Sequence, residues 1–187
     1  MKFWSFFRKN PKQAAAAALH RQIADQSRDP YFFTDLGVAD TVDGRFDLLV
    51  LHGFLVMHRL KGAEGGAELA RALSETLVED IDRNLREMGT GDLSVGRKVK
   101  HLTQGFYGRM EASEEGLGAT DTVLHAAVQR NLFGGAAAEA IPEIGAYLRR
   151  EARRLADQPF DALAKGIVRF GAPPGEPSSA EAANGGR

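Results

Sequence analysis

No cysteine occurs anywhere in the 187 residues. Disulfides, thiolate metal sites and cysteine nucleophiles are therefore excluded, and the chain suits a reducing compartment. An excess of charge of either sign is also missing: 24 Lys and Arg stand against 25 Asp and Glu, for a formal net charge of −1. That balance argues against a nucleic-acid binder, which normally carries a strong basic excess. Long apolar runs are absent too. The longest, Phe46 to Leu60, is interrupted by Asp47, His52 and His58 and falls short of the roughly 20 residues that span a bilayer. No stretch alternates long enough to require a sheet, and there is no internal repeat. A phosphate-binding glycine loop, HExxH and GxSxG are all missing, so the familiar signatures of nucleotide, zinc-protease and serine-hydrolase chemistry do not apply.

What is present is helical periodicity in a chain of globular composition, 43% hydrophobic and 26% charged. The expected fold is all-α, a single compact domain of about seven helices with a disordered C-terminal tail. The helices are placed at about 12–27, 44–61, 67–88, 93–113, 120–133, 142–157 and 159–170. The second is apolar around its whole wheel, from Phe46 to Leu60, and should be central and buried. The third is the most regular, with Leu69, Leu73, Leu77, Ile81 and Leu85 every four residues. An irregular linker is expected from Tyr31, a glycine-containing loop at 114–119, and Val123 and Ile167 on buried faces. The organisation is read as an aromatic-basic segment over 1–11, a helical domain over 12–171 and a tail over 172–187, the last too rich in Pro, Gly and Ser to fold.

The N-terminal segment sets Phe3, Trp4, Phe6 and Phe7 among Lys2, Arg8 and Lys9. Ser5 and Arg8 break its apolar run, so it is not a signal peptide, which needs about 7–15 uninterrupted residues. Aromatic rings beside cations suit a bilayer interface. Phe3, Trp4, Phe6, Phe7, Arg8 and Lys9 are the candidate membrane contacts, with a sticky terminus of no function as the alternative. His52 and His58 are six residues apart and point to different sides of their helix, so they cannot make an i,i+4 metal pair. The plain reading makes them polar residues at the edge of a buried helix, and no metal or cofactor is expected. A helical haem- or quinone-linked enzyme using His52 or His58 stays open beside it, as does a peripheral lipid-binding protein.

Charge changes sign across the turn Gly89-Thr90-Gly91. Before it stand Glu75, Glu79, Asp80, Asp82 and Glu87; after it come Arg97, Lys98, Lys100 and His101. Asn84 falls within the apolar stripe of the third helix, where a buried amide is costly unless bonded. It either ties that helix to the turn or forms a polar notch for a partner. Asp92 is the expected N-cap of the next helix. Gly105 and Gly108 lie on one flank of that helix, each costing about 1 kcal/mol relative to alanine. Close approach of another helix, or of a bound chain, would account for them.

Three stretches carry a resemblance: FDLLVLHGFLVMHRL, then LVEDIDRNLREMGTGDLSVGRKVKHL, then GFYGRM. Together they resemble the ubiquinol–cytochrome c chaperone family, assembly factors of respiratory complex III, over roughly residues 34–170, with Asp82 to Lys100 as the specific motif. The resemblance implies an all-helical, non-catalytic chaperone that binds newly made cytochrome b, or a complex III assembly intermediate containing it. It implies action at a membrane surface, with room for a second assembly factor. Without a long Arg/Ser-rich presequence the chain looks like a bacterial member, peripheral on the cytoplasmic face of the inner membrane. The candidate client contacts are Glu79, Asp80, Asp82, Asn84, Arg86, Glu87, Asp92, Arg97, Lys98, Lys100, His101, Tyr107 and Arg109. The acids Glu79, Asp82 and Glu87 would meet the Lys- and Arg-rich cytoplasmic loops of a membrane protein.

Overall fold

The computed structural model describes residues 11–87 and 92–174; at Ile81 and along 84–87 and 92–104 it describes the helical backbone only. Among the described residues the chain forms eight helices and no strand: α1 (Pro11–Ser27), α2 (Tyr31–Thr34), α3 (Val42–Leu60), α4 (Gly66–Glu87), α5 (Asp92–Gly118), α6 (Asp121–Phe133), α7 (Ile141–Ala156) and α8 (Phe160–Ala164). The fold is all-α, with one helix more than the periodicity indicates.

Helix α3 is the centre. Thr41 caps its start, its Oγ1 accepting from Gly44 N–H at 3.2 Å. Its apolar residues face every direction, and α1, α4, α5, α6 and α7 pack around it. Leu48, Leu55, Val56 and Leu60 are fully buried, each such side chain contributing roughly 1.5–3 kcal/mol. His52 is fully buried as well. Its Nδ1 lies 2.8 Å from the carbonyl of Leu48 and its Nε2 2.8 Å from the Tyr147 hydroxyl. A nitrogen facing a carbonyl must donate, so Nε2 accepts from Tyr147. Phe32 and Phe170 meet the same ring edge-on, at 5.3 and 5.5 Å.

Three elements depart from the expected pattern. The linker after Pro30 contains a helical turn, α2, whose Phe32 is buried against His52 and Tyr147. Helix α5 continues to Gly118 instead of stopping at Ser113, because Gly116 serves contact, not chain reversal. A Cβ at Gly116 would lie 3.0 Å from Leu124 Cα, so the glycine lets α6 cross closely. Arg149 then caps the end of α5, donating to the carbonyls of Leu117 and Ala119 at 2.9 Å each. Val123 is 36% exposed instead of buried.

The last helix is the largest correction. It was expected over 159–170, but α8 stops at Ala164 and the chain turns at Gly166, φ +79°. Ile167 is 44% exposed. Beyond it the backbone runs as a non-helical strap across α1 and α7, and side chains supply its hydrogen bonds. Gln22 donates to the Gly166 carbonyl at 2.6 Å and accepts from Val168 N–H at 3.0 Å. Gln158 makes the same pair of bonds to Arg169, at 2.8 and 2.9 Å. Gln26 donates to the Gly171 carbonyl at 3.0 Å, Glu151 accepts from Gly171 N–H at 2.8 Å, and Arg150 donates to Ala172 O. Pro173 and Pro174 are buried, so the described chain reaches three residues beyond 171.

At Gly166 an added Cβ would sit 2.6 Å from Ala18 Cβ and 3.0 Å from the Ala15 carbonyl. Gly166→Ala should therefore cost about 1–3 kcal/mol in urea unfolding. Gly62→Ala, at φ +80° with open space around it, carries the backbone strain alone and should cost less. Equal losses would show that the strap is not held against α1.

Candidate functional site

Helices α4 and α5 form an antiparallel hairpin beside α3. Ser74 Oγ and Tyr107 Oη meet across it at 3.1 Å. Residues a turn apart on each helix share a face, which puts Ala67 and Ala70 of α4 in line with Ser74, and Met110 and Glu114 of α5 in line with Tyr107. Between these two rows and the end of α3 lies an open groove of about 730 Å³. Its floor is apolar: Phe54, Met57, Leu60, Ala70 and Met110. Tyr107, 55% exposed, stands beyond it along the same seam.

The rim is mostly acidic. Glu114 Oε2 lies 2.7 Å from His58 Nδ1, and its Oε1 accepts from Lys61 Nζ at 2.7 Å. Burial works to raise this carboxyl, but the hydrogen bonds from Lys61 and His58 outweigh it and hold Glu114 below the usual carboxylate value. Glu64 and Glu111 line the same groove and are exposed; neither has an ion pair among the described residues.

Beneath the hairpin a half-buried guanidinium meets a buried carboxyl. Arg109 Nε lies 2.8 Å from Asp47 Oδ1, close but not aligned as a hydrogen bond, and the guanidinium stacks over Phe46 at 5.5 Å. Gly105 lies beside it: a Cβ there would be 2.6 Å from Arg109 Nη1, the movable end of a side chain on the same helix, and no backbone of another element approaches within 4 Å among the described residues. Gly108 has nothing within 4 Å among the described residues.

The expected client contacts separate into groups. Glu79 is exposed on α4. Asp80 is half-buried and turned toward α1, 3.4 Å from His20 Nε2 and 3.5 Å from Arg83 Nη1. Asp82 is half-buried. Tyr107 is exposed, whereas Arg109 is engaged internally with Asp47. Asn84, Arg86 and Glu87 at the end of α4, and Asp92, Arg97, Lys98, Lys100 and His101 at the start of α5, have side chains outside the described residues. So do Phe3, Trp4, Phe6, Phe7, Arg8 and Lys9.

A sequence model of the family described as ubiquinol-cytochrome C chaperone matches residues 34–170. The chain belongs to that family. A Xenopus laevis relative named ubiquinol-cytochrome-c reductase complex assembly factor 1 is 26% identical over 136 residues, 71% of this chain and 68% of its own. The mitochondrial protein CBP3 of Saccharomyces cerevisiae is 29% identical over 110 residues, 56% of this chain but only 32% of its own length. The crystal structure of the Cbp3 homolog from Brucella abortus superposes with a TM-score of 0.77 at 31% identity, covering 86% of this chain and 90% of that one.

Within this chaperone family member, the groove was not legible in the sequence. Ala67 and Ala70 read as ordinary positions on α4, and Glu114 fell in an expected loop. The available signal was the i, i+3, i+7 row Tyr107, Met110, Glu114, which places an aromatic, a methionine and an acid on one face of α5.

Burial pushes the Asp47 carboxyl up to about 7; the Arg109 charge pulls against it and nearby Asp43 adds to it. Burial pulls His52 down to about 4, with its bond to the Leu48 carbonyl opposing. In the unfolded chain these groups titrate near 3.8 and 6.5. Between those limits folded Asp47 keeps a proton the unfolded chain has released, so acidification stabilises. Folded His52 stays neutral where the unfolded imidazole is protonated, so acidification destabilises. The two slopes oppose, each pKa unit counting about 1.4 kcal/mol. Asp47→Asn removes the first, so its melting temperature should fall more steeply than wild type from about pH 6.5 to 4. Parallel curves would show that Asp47 holds no extra proton.

Proposed function

We propose that this chain is an assembly factor of the ubiquinol–cytochrome c reductase, a chaperone that holds newly made cytochrome b while that complex is built. The observation that carries the reading is the match over residues 34–170 to the chaperone family, reinforced by a fold shared with a Cbp3 homolog. An open apolar groove with an acidic rim is consistent with holding a client chain. Binding is without catalysis. In support, two of the most deeply buried polar residues are engaged within the fold: His52 with Leu48 and Tyr147, Glu151 with Arg150, Arg154 and Gly171. His52, both ring nitrogens engaged, is a poor haem ligand, and the acidic rim beside His58 opposes haem propionates.

The site of action is the membrane surface, on the cytoplasmic face. No helix among the described residues is long and apolar enough to cross a bilayer, so attachment would rest on Phe3, Trp4, Phe6, Phe7, Arg8 and Lys9. Deleting residues 1–10, which precede α1, should leave the melting temperature unchanged and weaken flotation with anionic vesicles. Undiminished flotation would remove this segment as the contact.

The charge reversal at the α4–α5 turn is the second client contact in this reading. Arg97→Glu with Lys98→Glu should leave the circular dichroism unchanged. The same variant should lose cytochrome b from a pull-down of the tagged protein out of its own cells, since like charges across an interface cost several kcal/mol. A second assembly factor would appear in the same pull-down. A folded double variant that retains cytochrome b would reduce the basic half of the turn to solvated surface, and a wild-type pull-down without reductase subunits would overturn the assembly reading.

A further inference from the structure

Between the end of α3 and the α4–α5 hairpin the half-buried Met57, Ala70 and Met110 form the floor of a groove of about 730 Å³. Methionine is unbranched and polarizable, and adapts to apolar partners of more than one shape. A groove between helices, in the size range of roughly 300–1,000 Å³, admits side chains from one face of an inserted helix. The mouth has a definite sign. Lys61 is taken up by Glu114 at 2.7 Å, as is His58. Glu64 and Glu111, exposed on either side, have no ion pair among the described residues. An anionic ligand, such as a lipid phosphate, would be repelled at this mouth, whereas a cation beside an apolar surface would be attracted on both counts.

We propose that the groove seats the end of an apolar helix flanked by lysine or arginine. The apolar face would lie on Met57, Ala70 and Met110, and the cations would pair with Glu64 and Glu111. Membrane spans carry that chemistry at their cytoplasmic ends, where Lys and Arg are in excess. The inference rests on the chaperone reading for the source of such a helix, and it assigns the site where that client sits. It is separate from the charged α4–α5 turn, at the opposite end of the hairpin.

The test uses the full chain and two synthetic helical peptides of leucine and alanine, one ending in lysines and one in glutamates, followed by fluorescence anisotropy. Wild type should prefer the lysine peptide roughly tenfold or more, as expected for a complementary charged mouth. Glu64→Lys with Glu111→Lys should reverse the preference. Ala67→Trp, at an exposed position in the first turn of α4 beside the groove, should weaken binding of both peptides. Circular dichroism melting serves as the folding control; if Ala67→Trp unfolds, the charge reversal alone decides.

Equal binding of the two peptides by wild type, or an unchanged preference in the charge-reversed variant, would overturn the proposal. Tighter peptide binding after removal of residues 1–10 would make the chain's own N-terminus the occupant, and a dimer dissolved by the charge reversal would make it a second copy; either overturns it. Reductase subunits recovered in the pull-down with no peptide preference would remove this site and leave the assembly reading standing. A peptide preference with no subunits recovered would do the reverse.

Discussion

Beyond its first turn helix α3 is buried on nearly every side, and the rest of the molecule is arranged to cover it. A helix apolar on all sides could slide or rotate among its neighbours with little change in buried area. Its polar residues prevent that, because each must find a partner once removed from water. His52 bonds to Tyr147 on α7, Asp47 lies against Arg109 on α5, and His58 reaches Glu114 one helical stretch further along α5. Arg59 donates to the carbonyls of Leu155 and Gln158 at the end of α7, at 2.9 and 2.8 Å. Apolar burial supplies the bulk of the stabilisation, and these few polar contacts, hydrogen bonds except for the Asp47–Arg109 ion pair, set the register of α5 and α7 on α3.

The same economy of polar contacts holds the C-terminal strap. A segment without helix or sheet must still satisfy its backbone N–H and C=O groups. Here Gln22 and Gln158 each donate and accept like a neighbouring strand, and Gln26 links the strap to the His52 network through Tyr147, 3.2 Å from its amide. Buried Glu151 receives a strap amide on one side and Arg150 and Arg154 on the other. The strap in turn delivers Phe170 to the ring of His52. Helices α1 and α7 are thereby joined to the centre through the hydrogen bonds of Gln26, Tyr147 and His52.

The hairpin of α4 and α5 stands apart in character. Its inner face is bound to α3 by Leu73, Leu77 and Phe106, all buried, and by the Asp47–Arg109 pair. Its outer seam carries an exposed tyrosine, a half-buried methionine floor and, in Glu111, an exposed acid with no ion pair among the described residues. A surface of this composition is stable because the inner face is over-determined, and that leaves the outer one free to serve a partner. A chaperone needs this division, since its binding surface must be open before the client arrives and unchanged after it leaves.

Local pattern was enough for much of the molecule. The 3.6-residue period placed α1, α3, α4, α6 and α7 within a residue or two at each end, and the all-round apolar wheel of α3 placed it at the centre. The stretches from Phe46, Leu77 and Gly105 pointed to the family without any structure, because a long specific motif is a property of sequence alone. What local pattern could not supply were contacts between residues far apart in the chain. Gly116 reads as a breaker until Leu124 is seen packed on it. Residues 165–170 read as helix until Gln22, more than a hundred residues earlier, is seen bonding the backbone of Gly166 and Val168. Arg109 looked like a surface cation because nothing near it in sequence announces Asp47. The groove arises where α3, α4 and α5 come together, and its acidic mouth from residues on separate elements. Periodicity reports which face of an element is apolar; only packing decides which faces meet, and which are left open.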